Sequence, residues 1–242
     1  MQIASRQALW RESVPRGKTV LVIRASPESM TAEIAQGGLA PGSTVVSVDW
    51  GDGTVESMPG ISYARHTYAR AKDYVVKISD DISSFGYADR NWDGNPIRLM
   101  LVELVCIGTK VTSIVSYGFN NCKSMRGVIE LPNVTKIGNY AFGSVAGISD
   151  IILPSMTRLV QTSFYGGPSP TQLHADNVTQ IDGDFWEYYG GHLADMYIRG
   201  STRRQITLMP GFPFRAGPTV RFHGFDGIVL GNGEFAGERS NA

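Results

Sequence analysis

The 242-residue sequence predicts a mainly β protein in two parts, a small β-sandwich followed by a short solenoid with a carboxyl-terminal cap. Three observations predict it. Glycine is abundant at 28 residues, and the apolar segments are short and interrupted, which suits many strands and turns better than long helices. Alternating apolar runs separated by Asp-Gly and Gly-Gly steps fill the first third of the chain. A four-residue word then recurs at near-constant spacing through the middle, and a fixed period of this length is the signature of stacked units.

Composition limits the function classes. Lys plus Arg and Asp plus Glu are both 22, and neither sign forms a long run, so the counterion release that drives nucleic-acid binding has no source here. No window holds the roughly 18 consecutive apolar residues of a membrane-spanning helix, so no membrane insertion is expected. Met1 to Gly17 reads as an amino-terminal arm; it carries Arg6, Arg11, Glu12 and Arg16 and offers no apolar stretch long enough for a secretory leader. Cys106 and Cys122 fit no zinc or redox spacing. Both are expected to be buried free thiols, with pairing or metal binding as the alternative.

The first unit spans residues 18–95. Thr19-Val-Leu-Val-Ile-Arg24 reads as a strand, a turn is expected at Gly37-Gly38, and Ser43 to Trp50 reads as a second strand. Gly51-Asp52-Gly53 supplies the positive φ of a tight turn, and Tyr74-Val-Val-Lys-Ile78 alternates as a further strand. The segments Val48-Asp49-Trp50-Gly51-Asp52-Gly53-Thr54, His66-Thr67-Tyr68 and Tyr74 to Ile78 resemble, in order and spacing, the PKD domain, an immunoglobulin-like sandwich. The family usually has a glycine where this chain has Ala71-Lys72-Asp73. The resemblance implies that the Asp-Gly segment shapes a turn and that the tyrosine of His-Thr-Tyr packs in the core; it implies no catalysis. Asp49 and Asp52 are read as turn formers accepting local N–H bonds, against paired acids or calcium ligands. Asp89, Asn91 and Asp93 open like a calcium loop, but the twelfth position is Met100 and Pro96 intrudes, so a linker turn is favoured over a cation site.

The second unit spans residues 96–200. Its words are Val111-Thr-Ser-Ile114, Val134-Thr-Lys-Ile137, Met156-Thr-Arg-Leu159 and Val178-Thr-Gln-Ile181, with final residues 23, 22 and 22 positions apart. Five places after each stands an aromatic: Phe119, Phe142, Phe164 and Trp186. Strands are expected at Val128 to Leu131, Ile151 to Leu153 and Met196 to Ile198, with a degenerate copy around Gln172-Leu-His174. A single such unit cannot bury its own apolar face, so copies should stack on a continuous core. Val134-Thr-Lys-Ile-Gly-Asn-Tyr-Ala-Phe142, and Phe119 to Met125 followed by Ile129-Glu-Leu-Pro132, resemble the BspA-type leucine-rich repeat over residues 97–200. The sequons at Asn133 and Asn177 are by-products of the repeat's own wording. After Gly200 the wording lapses, and residues 201–242 read as a cap and tail. Phe212, Phe214, Val220, Phe222 and Val229 either close the stack or form an exposed aromatic patch.

No nucleophile elbow, histidine metal motif or dinucleotide fingerprint stands in the chain, so no enzyme and no cofactor is predicted. The densest polar and aromatic cluster is Asp182, Asp184, Trp186, Glu187, Tyr188 and Tyr189. Rings that stack on sugar C–H faces beside carboxylates that accept hydroxyl protons suit a glycan. The competing reading, favoured here, is that Trp186 fills the repeat's aromatic slot and the acids solvate a loop. The two resemblances imply a microbial surface protein that binds or adheres to a protein or glycan ligand. The missing leader leaves a component of a phage or prophage particle as the alternative, with a glycan-processing enzyme behind it. The sequence does not specify an oligomeric state.

Overall fold

The computed structural model describes residues 17–59, 64–87, 96–145, 147–159, 172–181, 195–197, 205–208, 221–223, 227–230 and 239–240. It is mainly β. The first seven strands are β1 (Thr19–Arg24), β2 (Thr31–Leu39), β3 (Val45–Asp49), β4 (Val55–Pro59), β5 (Ala64–Thr67), β6 (Asp73–Ile78) and β7 (Ile82–Tyr87). A single helical turn, α1 (Pro96–Met100), leads into β8 (Leu101–Cys106). No helix among the described residues is long and apolar enough to cross a membrane.

Two sheets hold these strands, in the orders β4-β3-β6-β1-β8 and β5-β2-β7, with a shared core between their inner faces. Period-two alternation sets which side faces inward. Leu21, Ile23, Val46, Val48, Val76 and Ile78 of the first sheet, and Ala32, Ile34, Phe85 and Tyr87 of the second, are all buried. Buried Glu33 pairs with Arg65, its register neighbour across β2 and β5. Gly37-Gly38 does not form the expected turn. Instead β2 runs through it, with irregular register on both sides of Gly38. The position is crowded: a Cβ at Gly38 would sit 3.1 Å from the Ser84 hydroxyl oxygen and 3.3 Å from that of Ser83, so those hydroxyls would have to give by a few tenths of an ångström.

The remaining strands are short and parallel. β10 (Arg126–Glu130), β12 (Gly147–Ile152), β14 (Gln172–His174), β16 (Asp195–Tyr197), β18 (Arg221–His223) and β20 (Arg239–Ser240) form one sheet in that order. On the other side, β9 (Ser113–Ile114) and β11 (Lys136–Ile137) extend the sheet of β7, while β13 (Arg158–Leu159), β15 (Gln180–Ile181), β17 (Gln205–Leu208) and β19 (Gly227–Leu230) form a fourth. Strand pairing therefore continues past Gly200, where the sequence words lapse: Leu208 pairs with Ile181, and Leu230 with Leu208. Backbone hydrogen bonding is indifferent to side-chain identity, so the ladder outlives the word. The buried residues form one cluster running from Leu21 through Phe119 and Phe142 to Val178.

Candidate binding surface

The quartet folds the same way in each copy. Its first and last residues point inward: Val111 and Ile114, Val134 and Ile137, Met156 and Leu159, and Val178 are buried. The threonine between them is exposed and links copies. The Thr135 N–H donates to the Thr112 carbonyl at 2.8 Å, and that of Thr179 to the Thr157 carbonyl at 2.9 Å. Their hydroxyls donate to the same carbonyls at 3.4 and 3.2 Å. The residue before each of the last three quartets adds a polar rung. Asn133 Nδ2 donates to the Thr109 carbonyl at 3.0 Å, Ser155 Oγ to that of Pro132, and Asn177 Nδ2 to that of Pro154. Backbone groups freed at the copy boundaries are thereby satisfied.

The aromatic positions stack as the spacing predicts where they are described. Phe119 and Phe142 are buried, with ring centroids 5.1 Å apart and planes 8° from parallel. Two places earlier, Tyr117 and Tyr140 stack at 5.1 Å and 3° on the half-buried rim. Both tyrosines have positive φ, 60° and 56°, as do Asn121 and Ser144 at 59° and 56°. This left-handed conformation is costly for a bulky residue. It is held by rungs from copy to copy: the N–H groups of Tyr117, Phe119 and Asn121 donate to the carbonyls of Asn139, Ala141 and Gly143.

The opposite side of the repeats is a parallel sheet. One register column, Ile129, Ile151 and Leu173, is buried and continues in register to Met196 and Phe222. The columns on either side look outward. Val128, Asp150 and Gln172 form one, and Glu130, Ile152 and His174 the other, with Tyr197 and His223 next in register to His174. Glu130 is exposed and the other described members are half-buried. His174 Nε2 lies 3.9 Å from Asp150 Oδ1, bridging the two columns. The result is an open face of carboxylates, amide and imidazole interleaved with aliphatic carbon, suited to hydroxyl and amide partners.

A second polar cluster closes one edge of the amino-terminal sheets. Asp49 Oδ1 accepts the Gly51 N–H and Asp52 Oδ1 the Thr54 N–H, each at 3.0 Å, so both carboxylates form the turn. His66 Nε2 lies 2.8 Å from Asp52 Oδ2, and the imidazole stacks on buried Trp50 at 5.0 Å. Burial works against the Asp52 carboxylate, yet the Thr54 N–H and His66 together hold its pKa below the ordinary value. Tyr68 is buried, stacks on Tyr74 at 3.8 Å and donates its hydroxyl to the Trp50 carbonyl. No group of three or more His, Cys, Asp or Glu residues among the described residues is arranged to hold a metal ion.

The thiols divide. Cys122 is free and buried; burial, only partly offset by Arg98, pushes its pKa up to about 12. Cys106 is likewise in no disulfide but is half-buried rather than buried, because β8 lies at a sheet edge; its Sγ donates to the Lys18 carbonyl at 3.3 Å.

Asp182, Asp184, Trp186, Glu187, Tyr188 and Tyr189 lie outside the described residues, as do Asp89, Asn91 and Asp93. The cluster at 182–189 follows β15 directly in the chain. The outward columns of the parallel sheet were not singled out from sequence. Their members are over 20 residues apart, and only the pairing register shows that they are neighbours.

Residues 101–204 match the family model for the BspA type leucine rich repeat region, in six copies where the quartet alone marks four. No family match covers the seven strands before them. The comparisons with curated proteins and with solved structures gave no match.

Proposed function

We propose that this chain is a non-catalytic binding module of a microbial surface, adhering to a protein or glycan through the outward face of its repeat strands. The observation that carries this reading is the register of the parallel sheet. Each copy adds one strand, and neighbouring strands lie about 4.8 Å apart, so the outward side chains form a regular array whose spacing is set by backbone pairing. Such a surface presents many weak contacts in fixed order; it does not converge reactive groups on one atom. Repeats of the matching family are commonly surface adhesion-type repeats and generally serve as non-catalytic scaffolds.

In this reading the repeats form a solenoid, the carboxyl-terminal strands continue and close it, and the amino-terminal sheets are a PKD-like unit. The turn built by Asp49 and Asp52 and the buried Tyr68 support that last assignment. The cluster from Asp182 to Tyr189 supplies the sugar-stacking ring and carboxylates if the ligand is a glycan.

The test is binding of the purified full chain to a glycan array and to immobilised extracellular-matrix proteins. It compares the natural protein with the double variant Glu130→Ala, His174→Ala and with Trp186→Ala. The proposal expects saturable binding to at least one probe, weakened at least about tenfold by the double variant, the scale of lost charged hydrogen bonds. Loss with Trp186→Ala alone would move the site to the 182–189 cluster. Absence of binding to every probe by a folded chain overturns the reading.

A further inference from the structure

The amino-terminal sheets meet the repeats in a way that the repeats themselves define. β7 pairs in antiparallel fashion with β2 on one edge and in parallel with β9 on the other. On the second edge Ser84 pairs with Ser113 and Phe85 with Ile114, the same relation that Ser113 and Ile114 bear to Lys136 and Ile137. Two backbone hydrogen bonds recur at both boundaries. The Thr112 N–H donates to the Ser83 carbonyl at 2.8 Å, as that of Thr135 does to Thr112, and the Val115 N–H donates to Phe85 at 3.0 Å, as that of Gly138 does to Ile114 at 2.9 Å. The Thr112 hydroxyl also reaches the Ser83 carbonyl, at 3.3 Å, repeating the threonine rung of the later copies.

The sequence of β7 obeys the same rule. Ile82-Ser-Ser-Phe85 has buried apolar residues at both ends and a hydroxyl in second place, the pattern of Val111-Thr-Ser-Ile114. The Phe85 ring lies 5.7 Å from Phe119 and so extends the aromatic stack by one member. Gly86 lets the layers meet: a Cβ there would come within 2.4 Å of Val115 Cγ2 and 2.9 Å of the Gly118 Cα. Other groups fasten the joint. Arg98, buried on α1, donates to the carbonyls of Tyr117 and Asn120, and Asp80 accepts from the Lys110 N–H and the Thr109 hydroxyl. β8, the strand that follows α1, returns to pair with β1, so both amino-terminal sheets gain a strand from beyond residue 95.

We infer that β7 is a surrogate repeat, and that the amino-terminal unit acts as the built-in cap on which the repeat stack is templated. An uncapped first copy would present an open strand edge and an apolar end face to solvent, a liability in any stacked array. β7 covers the edge of β9, and Phe85 packs on the first ring of the aromatic stack. β10 remains the first strand of its own sheet.

Hydrogen exchange by mass spectrometry on the full chain tests the inference with two variants. Gly86→Ala wedges the joint on the side facing Val115 and Gly118; Val46→Ala opens the amino-terminal core in β3, away from the repeats. The surrogate-repeat reading expects Gly86→Ala to speed exchange in β9 and β11 by about tenfold while β3 and β6 stay within about twofold, because capping is local. It expects Val46→Ala to speed exchange in β3, β6, β9 and β11 together, because the stack depends on its template. Unchanged exchange in β9 and β11 in either folded variant overturns it. Should Gly86→Ala fail to fold, Val46→Ala decides the matter alone.

Discussion

Phe119 stands between Phe85, 5.7 Å away in the amino-terminal sheets, and Phe142, 5.1 Å away in the next copy, with no exposed surface of its own. Phe119→Ala removes a ring from the joint of the whole core. Deleting a fully buried phenylalanine side chain costs about 3–5 kcal/mol, and each ring pair within 4.5–7 Å contributes about 0.5–1.5 kcal/mol beyond its buried area. With two pairs lost the expected cost is about 4 kcal/mol, a large share of the roughly 5–15 kcal/mol that holds most proteins folded. For a chain of this size each kcal/mol moves the melting temperature by about 2–4 °C, so the expected fall is roughly 8–16 °C. Scanning calorimetry and urea titration of the full chain give the measurement. Phe119→Leu keeps most of the apolar volume and should lose only about 1–2 kcal/mol. The reasoning fails if Phe119→Ala costs under about 1 kcal/mol, or if unfolding splits into two transitions of which one is untouched.

Thiol labelling should divide the two cysteines in the native protein at pH 8. Cys106 should react readily, whereas Cys122, with its pKa near 12, has a thiolate fraction of about one in ten thousand and should label only on unfolding, which peptide mapping of the adducts would check. Alkaline pH should destabilise the fold. Burial raises the pKa of Cys122, Tyr68 and Tyr87 above their unfolded values, so the unfolded chain loses these protons first. The stability is intact below the unfolded values, about 8.5 for cysteine and 10 for tyrosine, and falls above them by up to about 1.4 kcal/mol per pH unit per group. A urea midpoint that stays flat between pH 8 and 10.5 would contradict it.

The repeat period, the buried quartet ends among the described residues and the stacking of Phe119 on Phe142 were legible because a side chain that must face the core leaves its mark at a near-constant interval. The turn at Asp49 and Asp52 was legible because those hydrogen bonds span only two residues. Less local features were not. Gly37-Gly38 spells a turn, yet pairing of β2 with β7, more than 40 residues on, carries it through as an irregular piece of strand. Ile82-Ser-Ser-Phe85 follows the quartet rule, but Phe85 precedes Ile114 by 29 residues rather than 22 or 23, since α1 and β8 intervene, so a search at fixed period passes it by. The outward columns, with Asp150 beside His174, depend on register between strands, which no single copy of the word contains.

The rungs between copies carry a consequence for how such a chain changes length. Thr112, Thr135, Phe119 and Phe142 meet their counterparts only because equal numbers of residues separate them, so the frame is measured in whole copies. Loss of one residue between Ile137 and Phe142, an interval of five places that every copy keeps, sets the rungs of that copy at odds, carbonyl against the wrong amide. Excision of 22 residues from the middle of the stack rejoins like to like. For this architecture the larger deletion is the milder one, and variation in length is easiest on the carboxyl-terminal side, away from the fixed partner that β7 provides.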